Sequence, residues 1–429
     1  MRGFMLGLTR LDSLSLQEQG SGRRVALPAR PDSADQGRLL RLLRDEGSKS
    51  RAELVELANM ARSKLEAELT RLKQLGLVQE GGKAASRGGR RSTLVELSPF
   101  LHFGGVDLGA TGMRVAVMNA ELQVKAQVAE AVDIRRGPEP VLGRATELIE
   151  KLARDQGVQL SGIGVGVPGP VRFREGMPVS PPIMPGWNEY PVRDILARRF
   201  GCPVLVDNDV NVMAVGEHWG GVAKSVDNYL FVKIGTGIGC GILIRGEVYR
   251  GIDGCAGDIG HINVDPDGPV CACGNSGCLE AMFGGAALAR DALAAARSGA
   301  SEALAERLAH RQAITAEDVG QCAAEGDPIS VGLIRDGGRR VGLVLAGSVS
   351  LFNPSMIVIG GGLAGLGHLL LAEIRGVVYR RSLPLATGNL PIVLSELGRS
   401  AGVVGAAVMI SDHVLSIPDA FQAPGAGAR

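Results

Sequence analysis

Two stretches of the chain share one plan: FGGVDLGATGMRVAVMN from Phe103 and NYLFVKIGTGIGCGILIRG from Asn228. Each reads as an apolar strand, a glycine-rich turn and a second apolar strand. The first continues through LQVKAQVAEAV as a third strand, then a helical stretch over residues 138–156, then a buried strand in GIGVGVPG. At 429 residues the chain is also longer than one typical core supports. A hairpin-plus-helix unit used twice predicts a duplicated α/β fold of two lobes with a cleft between them.

The turns carry the first chemical hint. In DLGAT, Gly109 lets the backbone approach phosphate oxygens, Thr111 offers a hydroxyl and an amide, and Asp107 is placed to hold Mg²⁺ through water. In GTGIGCG, Gly235, Thr236 and Gly237 supply a facing set of donors. A third run, Gly360, Gly361 and Gly362 in SMIVIGGGLAG, suits either close approach by a nucleoside or tight strand-to-helix packing. Between the repeats lies VLVDNDVNVMAVGEHWG, where Asn208 and Asp209 stand at a helix start. An aspartate there either takes a proton from a substrate hydroxyl or caps the helix, and spacing alone leaves both open.

Charge divides the chain. Residues 1–97 hold 18 Lys/Arg against 12 Asp/Glu, while the remainder holds 28 against 33. A basic N-terminal unit on an acidic body suits a nucleic-acid module on a ligand-binding one. Residues 1–35 lack periodicity and read as a flexible tail. Over 36–98, Leu39, Leu40, Leu42 and Leu43 mark one helix, and Ser50 with Glu53 predicts a capping box on a second. Ser63 with Glu66 predicts another box on a third, whose inner face carries Leu65, Leu69, Leu72 and Leu75. Two strand-like pieces follow Gly76, joined by the basic loop KAASRGGRR. This is the pattern of a winged helix-turn-helix. Its DNA contacts fall to Arg62, Lys64 and Arg71 on the third helix and to Arg87, Arg90 and Arg91 on the wing. Glu66 and Glu68 on that helix would repel phosphate unless they face the protein.

No apolar run reaches the roughly 18 residues of a membrane span. Nor does the N-terminal segment carry the apolar stretch of a signal peptide. Seven cysteines, odd in number and clustered, suit a reducing compartment and predict a cytoplasmic protein. Three lie in GDIGHINVDPDGPVCACGNSGCLE, residues 257–280. The other four, Cys202, Cys240, Cys255 and Cys322, read as core residues.

In order, GVDLGAT, DNDVN, GTGIGCG, DIGH and CACGNSGCLE resemble the ROK family of repressors, open reading frames and kinases over about residues 100–410, within a domain expected to span 99–429. The N-terminal unit is similar to the winged helix of its repressor branch. The resemblance implies a sugar-kinase-like, actin-like ATPase fold. It implies a structural Zn²⁺ held by His261, Cys271, Cys273 and Cys278; independently, three thiolates and an imidazole form a closed tetrahedral set that zinc favours. A redox thiol pair is the rival. The resemblance further implies sugar contacts from Gly169, Asn208, Asp209, Asp258, His261 and Glu280, with Asp209 as base if the cleft is a kinase using ATP and Mg²⁺. One departure stands out: family kinases carry Glu where this chain has Asp258. The shorter arm falls back by roughly one carbon–carbon bond, about 1.5 Å, and about 1 Å of misplacement can cost a hundredfold in rate. The expectation is therefore a sugar-responsive regulator, a homodimer or homotetramer binding operator DNA and a sugar or sugar-phosphate effector. The alternative is an ATP-dependent sugar kinase.

Overall fold

Among the described residues, the N-terminal unit holds three helices and three short strands: α1 (Ala34–Glu46), β1 (Lys49–Ser50), α2 (Arg51–Leu57), α3 (Arg62–Gln74), β2 (Val78–Lys83) and β3 (Thr93–Leu97). The computed structural model describes residues 30–83 and 92–417 of the chain. Leucines 39, 40, 43, 54, 65, 69 and 72 are buried together, with Leu42 and Leu75 partly buried against them. The strands pair antiparallel in the order β1-β3-β2. Ser50 and Glu53 form a capping box on α2.

Two expectations for this unit need correction. Ser63 and Glu66 form no box: α3 starts at Arg62 after an N-cap at Ala61 that makes no side-chain cap. Ser63 thus falls inside the helix, and Glu66 turns to Arg51 at 3.2 Å, exchanging a cap for an ion pair. Of the segment read as a flexible tail, residues 1–29 lie outside the described residues. The rest is anchored: Ser33 caps α1, Asp32 pairs with Arg71 at 2.7 Å, and Asp35 pairs with Lys64.

The first lobe comprises β4 (Phe103–Leu108), β5 (Gly112–Met118), β6 (Val124–Ala131), α4 (Pro138–Asp155), β7 (Gly162–Val167), the ribbon β8 (Val171–Arg172) and β9 (Met177–Pro178), α5 (Val192–Phe200) and β10 (Val204–Asn208). Its sheet runs β10-β7-β4-β5-β6. After α6 (Asp209–Gly220) comes a second sheet from β11 (Tyr229–Ile234), β12 (Ile238–Ile244), β13 (Glu247–Val248), and, much later, β14 (Met356–Gly360) and β15 (Ile392–Leu394). Its order, β13-β12-β11-β14-β15, repeats the first: an antiparallel meander of three strands, then two parallel ones. Between β13 and β14 are α7 (Leu279–Phe283), α8 (Gly285–Arg297), α9 (Glu302–Arg311), α10 (Ala316–Ala324) and the 25-residue α11 (Pro328–Phe352). Helices α12 (Gly367–Arg381) and α13 (Pro384–Thr387) precede β15, and α14 (Ala401–Val414) closes the fold. The mixed α/β, duplicated fold is the one expected. No described helix is long and apolar enough to cross a membrane.

Helices α6 and α14 form the middle layer. In GIGVGV of β7 the glycines all face one side while Ile163, Val165 and Val167 fill the core on the other. A Cβ on Gly164 would overlap the Ala406 carbonyl of α14, so that helix lies directly on the strand backbone. A Cβ on Gly405 would likewise overlap the Val212 carbonyl of α6. Backbone packed on backbone leaves no side chain to yield, so Gly405→Ala should destabilise by about 2–3 kcal/mol or more. Gly347, on the exposed side of α11, meets nothing within 4 Å. There Ala should be neutral or stabilising by up to about 1 kcal/mol, and thermal melts of the two variants test the contrast.

Candidate functional site

The interlobe cleft is a cavity of about 270 Å³, near the lower end of the roughly 300–1,000 Å³ typical of ligand pockets. That suits a ligand as small as a monosaccharide. Its walls bring together residues far apart in sequence: Gly109 and Thr111, Gly169, Asn208 and Asp209, Gly235, Thr236 and Gly237, Asp258 and His261, Glu280, and Gly362. Gly109 donates to the Gly112 carbonyl at 2.8 Å and Gly235 to the Gly237 carbonyl at 2.9 Å, so both glycine turns are tight. Thr111 and Thr236 are exposed at the cleft.

The third glycine run divides. A Cβ on Gly360 would overlap the Phe231 ring and one on Gly361 would reach the Ile234 backbone, so these two serve packing and do not line the cavity. Gly362 alone opens onto it. Asp107 also stands off the wall. Its carboxylate lies against the first turn of α14, where a side chain at Gly402 would displace it. Burial pushes its carboxyl up to about 6, helped by Asp209 and opposed by Lys233.

Asn208 resolves the open question about its neighbour. It is Asn208 that caps α6, its Oδ1 accepting from Val210 at 2.9 Å, while its Nδ2 donates to the Gly169 carbonyl at 2.8 Å. Asp209 is then the first residue of the helix, buried, and its carboxylate accepts from the Lys233 ammonium. Glu280 accepts from the Ile238 amide at 3.0 Å, and burial raises its carboxyl. Asp258, raised by burial, faces His261 Nε2 at 3.8 Å.

The other imidazole nitrogen, Nδ1, is 3.5 Å from Cys271 Sγ, and Cys273 and Cys278 sulfurs are 3.7 Å apart. The four donor atoms lie within 4.8 Å of one another. Zinc–sulfur bonds of about 2.3 Å put tetrahedral ligands about 3.8 Å apart, so the set fits a four-coordinate metal after small side-chain movements. Isolated bridges Asn263 to Cys278 and Val270 to Ser276 fold the knuckle around them. His261 thus faces the cluster on one edge and the cleft on the other. Among the remaining thiols, Cys202, Cys240 and Cys322 are buried as expected, but Cys255 is exposed and lines the cleft. Gly254 and Gly257, both with positive φ, flank this segment and pack closely against the Val171 and Cys240 carbonyls.

Several cleft and coupling residues were not singled out in the sequence. Lys233 interrupts the apolar pattern of β11, which is its one legible signal. Asp207, 2% exposed, is held by Arg250 at 2.7 Å, and Arg250 stacks over Phe173. Arg44 of α1, buried, bonds Asp412 of α14 at 2.7 Å and Ser411 at 3.2 Å. Trp219, near the end of α6, donates to Asp45 of α1 at 3.3 Å. On α3, Arg62, Lys64 and Arg71 are exposed. Glu68 accepts from buried Gln36 at 2.8 Å, so like Glu66 it is engaged within the protein. Arg87, Arg90 and Arg91 lie outside the described residues.

A two-lobed sugar-kinase-like cleft with a His/Cys₃ knuckle on its rim and a helical N-terminal unit defines the class. The chain belongs to the ROK family, whose pattern it matches over residues 103–413. It is 30% identical to the xylose repressor of Caldicellulosiruptor bescii, spanning 89% of this chain and 96% of that one. It is 31% identical to the glucokinase of Thermotoga maritima, over 74% and 99%. The crystal structure of a ROK family transcriptional regulator, a homologue of the E. coli MLC protein, superposes with a TM-score of 0.76 over 89% of this chain and 96% of that chain, at 28% identity. A Streptomyces griseus ROK glucokinase in complex with glucose and AMPPNP gives 0.64 over 72% and 99%, at 31%.

The raised Asp107 carboxyl has a direct consequence. The folded state holds this proton more tightly than the unfolded chain, so its contribution to stability is present below about pH 4 and lost as pH rises through about 6. Asp107→Asn should remove that loss, raising the melting temperature at pH 8 more than at pH 5. Equal shifts at both pH values would show that the carboxyl is not perturbed.

Proposed function

We propose that the protein is a sugar-responsive transcriptional repressor, in which a sugar held in the cleft controls DNA binding by the N-terminal winged helix. One observation carries the reading. Helix α6 begins at the cleft, at Asp209, α14 begins behind the cleft wall, beside Asp107, and both end against α1, through Trp219–Asp45 and Arg44–Asp412. They span about 18 and 21 Å at 1.5 Å per residue, and their backbones are in contact. A ligand that draws the lobes together moves both helices, and with them the first helix of the DNA-binding unit. Xylose repressors among the relatives support the same reading.

In this reading Glu280, Asp258 and His261 receive sugar hydroxyls from one side, and Asp209 from the other. Asn208 keeps the Gly169 loop in place behind them. Zinc fits the His261, Cys271, Cys273 and Cys278 set, and with four protein donors it has no open position for chemistry. Its work is to hold the His261 edge toward the cleft. On α3, Arg62 would meet phosphates and bases directly and Lys64 and Arg71 on exchanging Asp35 and Asp32 for them, with Arg87, Arg90 and Arg91 on the wing; a homodimer or homotetramer would present two such helices to one operator. A DNA-bound regulator of this kind works in the cytoplasm. The second reading, an ATP-dependent sugar kinase with Asp209 as base, draws support from the intact DLGAT and GTGIG turns and from the glucokinase relatives. Asp258 and the N-terminal unit weigh against it.

The test is DNA binding. With DNA from upstream of its own gene, one sugar in a panel of pentoses and hexoses should weaken binding at least about tenfold, about 1.4 kcal/mol of differential affinity between two states. Glu280→Gln should abolish that response and leave sugar-free DNA affinity unchanged. Indifference of DNA affinity to every sugar, together with sugar-dependent ADP formation, would overturn the proposal in favour of the kinase. Cys273→Ser should lower zinc content and melting temperature together, and full zinc content in that variant would remove Cys273 from the ligand set.

A further inference from the structure

Lys233 stands in a place that sequence pattern and energetics both disfavour. Strand β11 alternates cleanly: Leu230, Val232 and Ile234 enter one core, and Tyr229 and Phe231 enter the layer shared with α6. Lys233 is the next residue on the α6 side, at the point where the strand reaches the cleft floor, two residues before the GTG turn. Its side chain is 19% exposed and that of Asp209 4%. A buried ammonium is costly unless it is paired. The partner is Asp209, whose carboxylate it bonds, with Asp107 and Glu280 also within electrostatic reach. Lys233 is thus the cation facing an acidic cluster on the cleft floor.

We propose that Lys233 is a built-in counter-cation that takes the place of a divalent metal in this cleft. It neutralises Asp209 and repels Mg²⁺ from the Asp107–Asp209 pair, so the cleft reads its sugar without metal or nucleotide. Three features support this. The acids at the floor are the donors a hard divalent ion would use. An ammonium already bonded to one of them must be displaced before such an ion enters. And Glu280, the further acid within electrostatic reach of Lys233, is already engaged by the Ile238 amide. The inference deepens the sensor reading and rests on it: it assigns Lys233 as the positioning residue that separates binding from phosphoryl transfer.

The experiment uses the full chain and Mn²⁺ as probe, followed by electron paramagnetic resonance. Mn²⁺ is a hard ion that the thiol-rich knuckle does not favour. The wild-type cleft should leave Mn²⁺ free, whereas Lys233→Met, which keeps most of the stem, should gain at least about tenfold in affinity from the removed charge. Adding Asp209→Asn to it should erase the gain, and Lys233→Arg should behave as wild type. Lys233→Gln provides a second variant should the methionine form fold poorly. Wild type binding Mn²⁺ as tightly as Lys233→Met and Lys233→Gln would overturn the proposal, and so would a gain that survives Asp209→Asn. DNA release by sugar in buffer passed over a chelating resin and free of added metal or soluble chelator, so that bound zinc is kept, measured on the same wild-type preparation, keeps the two ideas separate. Release in that buffer with unchanged Mn²⁺ affinities defeats the Lys233 role and leaves the sensor standing. Release only when Mn²⁺ is restored also defeats it. The absence of any sugar response, with or without metal, defeats the sensor itself.

Discussion

The contact between α6 and α14 is the constraint on which the rest of the molecule depends. Gly405 and Gly164 let α14 touch α6 on one side and the first sheet on the other, without side chains between the backbones. Buried Glu217 completes the joint: it accepts from the Leu397 amide at 2.9 Å, from the Val222 amide at 3.0 Å and from Ser395. Such a layer cannot absorb a shift by repacking, as a leucine-filled interface can. It passes the displacement on. That α6 begins at the cleft, α14 begins just behind it beside Asp107, and both end at α1 makes this stiffness useful to a sensor.

The same economy governs charge. The cleft floor holds Asp209 and Glu280, with Asp107 buried just behind it, and Lys233 offsets all three. Asp207 is kept off the floor by Arg250 and Asn211. His261 joins the acidic cleft to the cysteine knuckle through its two ring edges, so the shape of one depends on the order of the other.

Much of this was legible in the sequence because it is periodic or local. The strand–turn–strand repeat at Phe103 and Asn228 announced the duplicated fold, and the CACGNSGCLE spacing gathered the cysteines that do converge with His261. What escaped was set by long-range pairing. Nothing near Ser63 shows that Glu66 will leave it for Arg51, fifteen residues upstream. Asn208 and Asp209 could not be ranked as cap and free acid until the strand–helix junction fixed their directions. The run Gly360 to Gly362 looked uniform, yet Phe231, distant in sequence, claims the first glycine and the Ile234 backbone the second. Cys255 was misjudged because burial was inferred from a strand-like or helical context, whereas it sits between the positive-φ glycines 254 and 257 in a loop on the cleft.

The central claim is mechanical: occupancy of the cleft reaches α1 through α6 and α14. Hydrogen–deuterium exchange of the full chain, with and without the sugar that releases DNA, tests it most directly. The account predicts that exchange changes together in the cleft turns, in the Trp219 end of α6, in the Ser411–Asp412 end of α14 and in α1. Protection confined to the cleft turns, with α1 and both helix ends unchanged while DNA is still released, would contradict it.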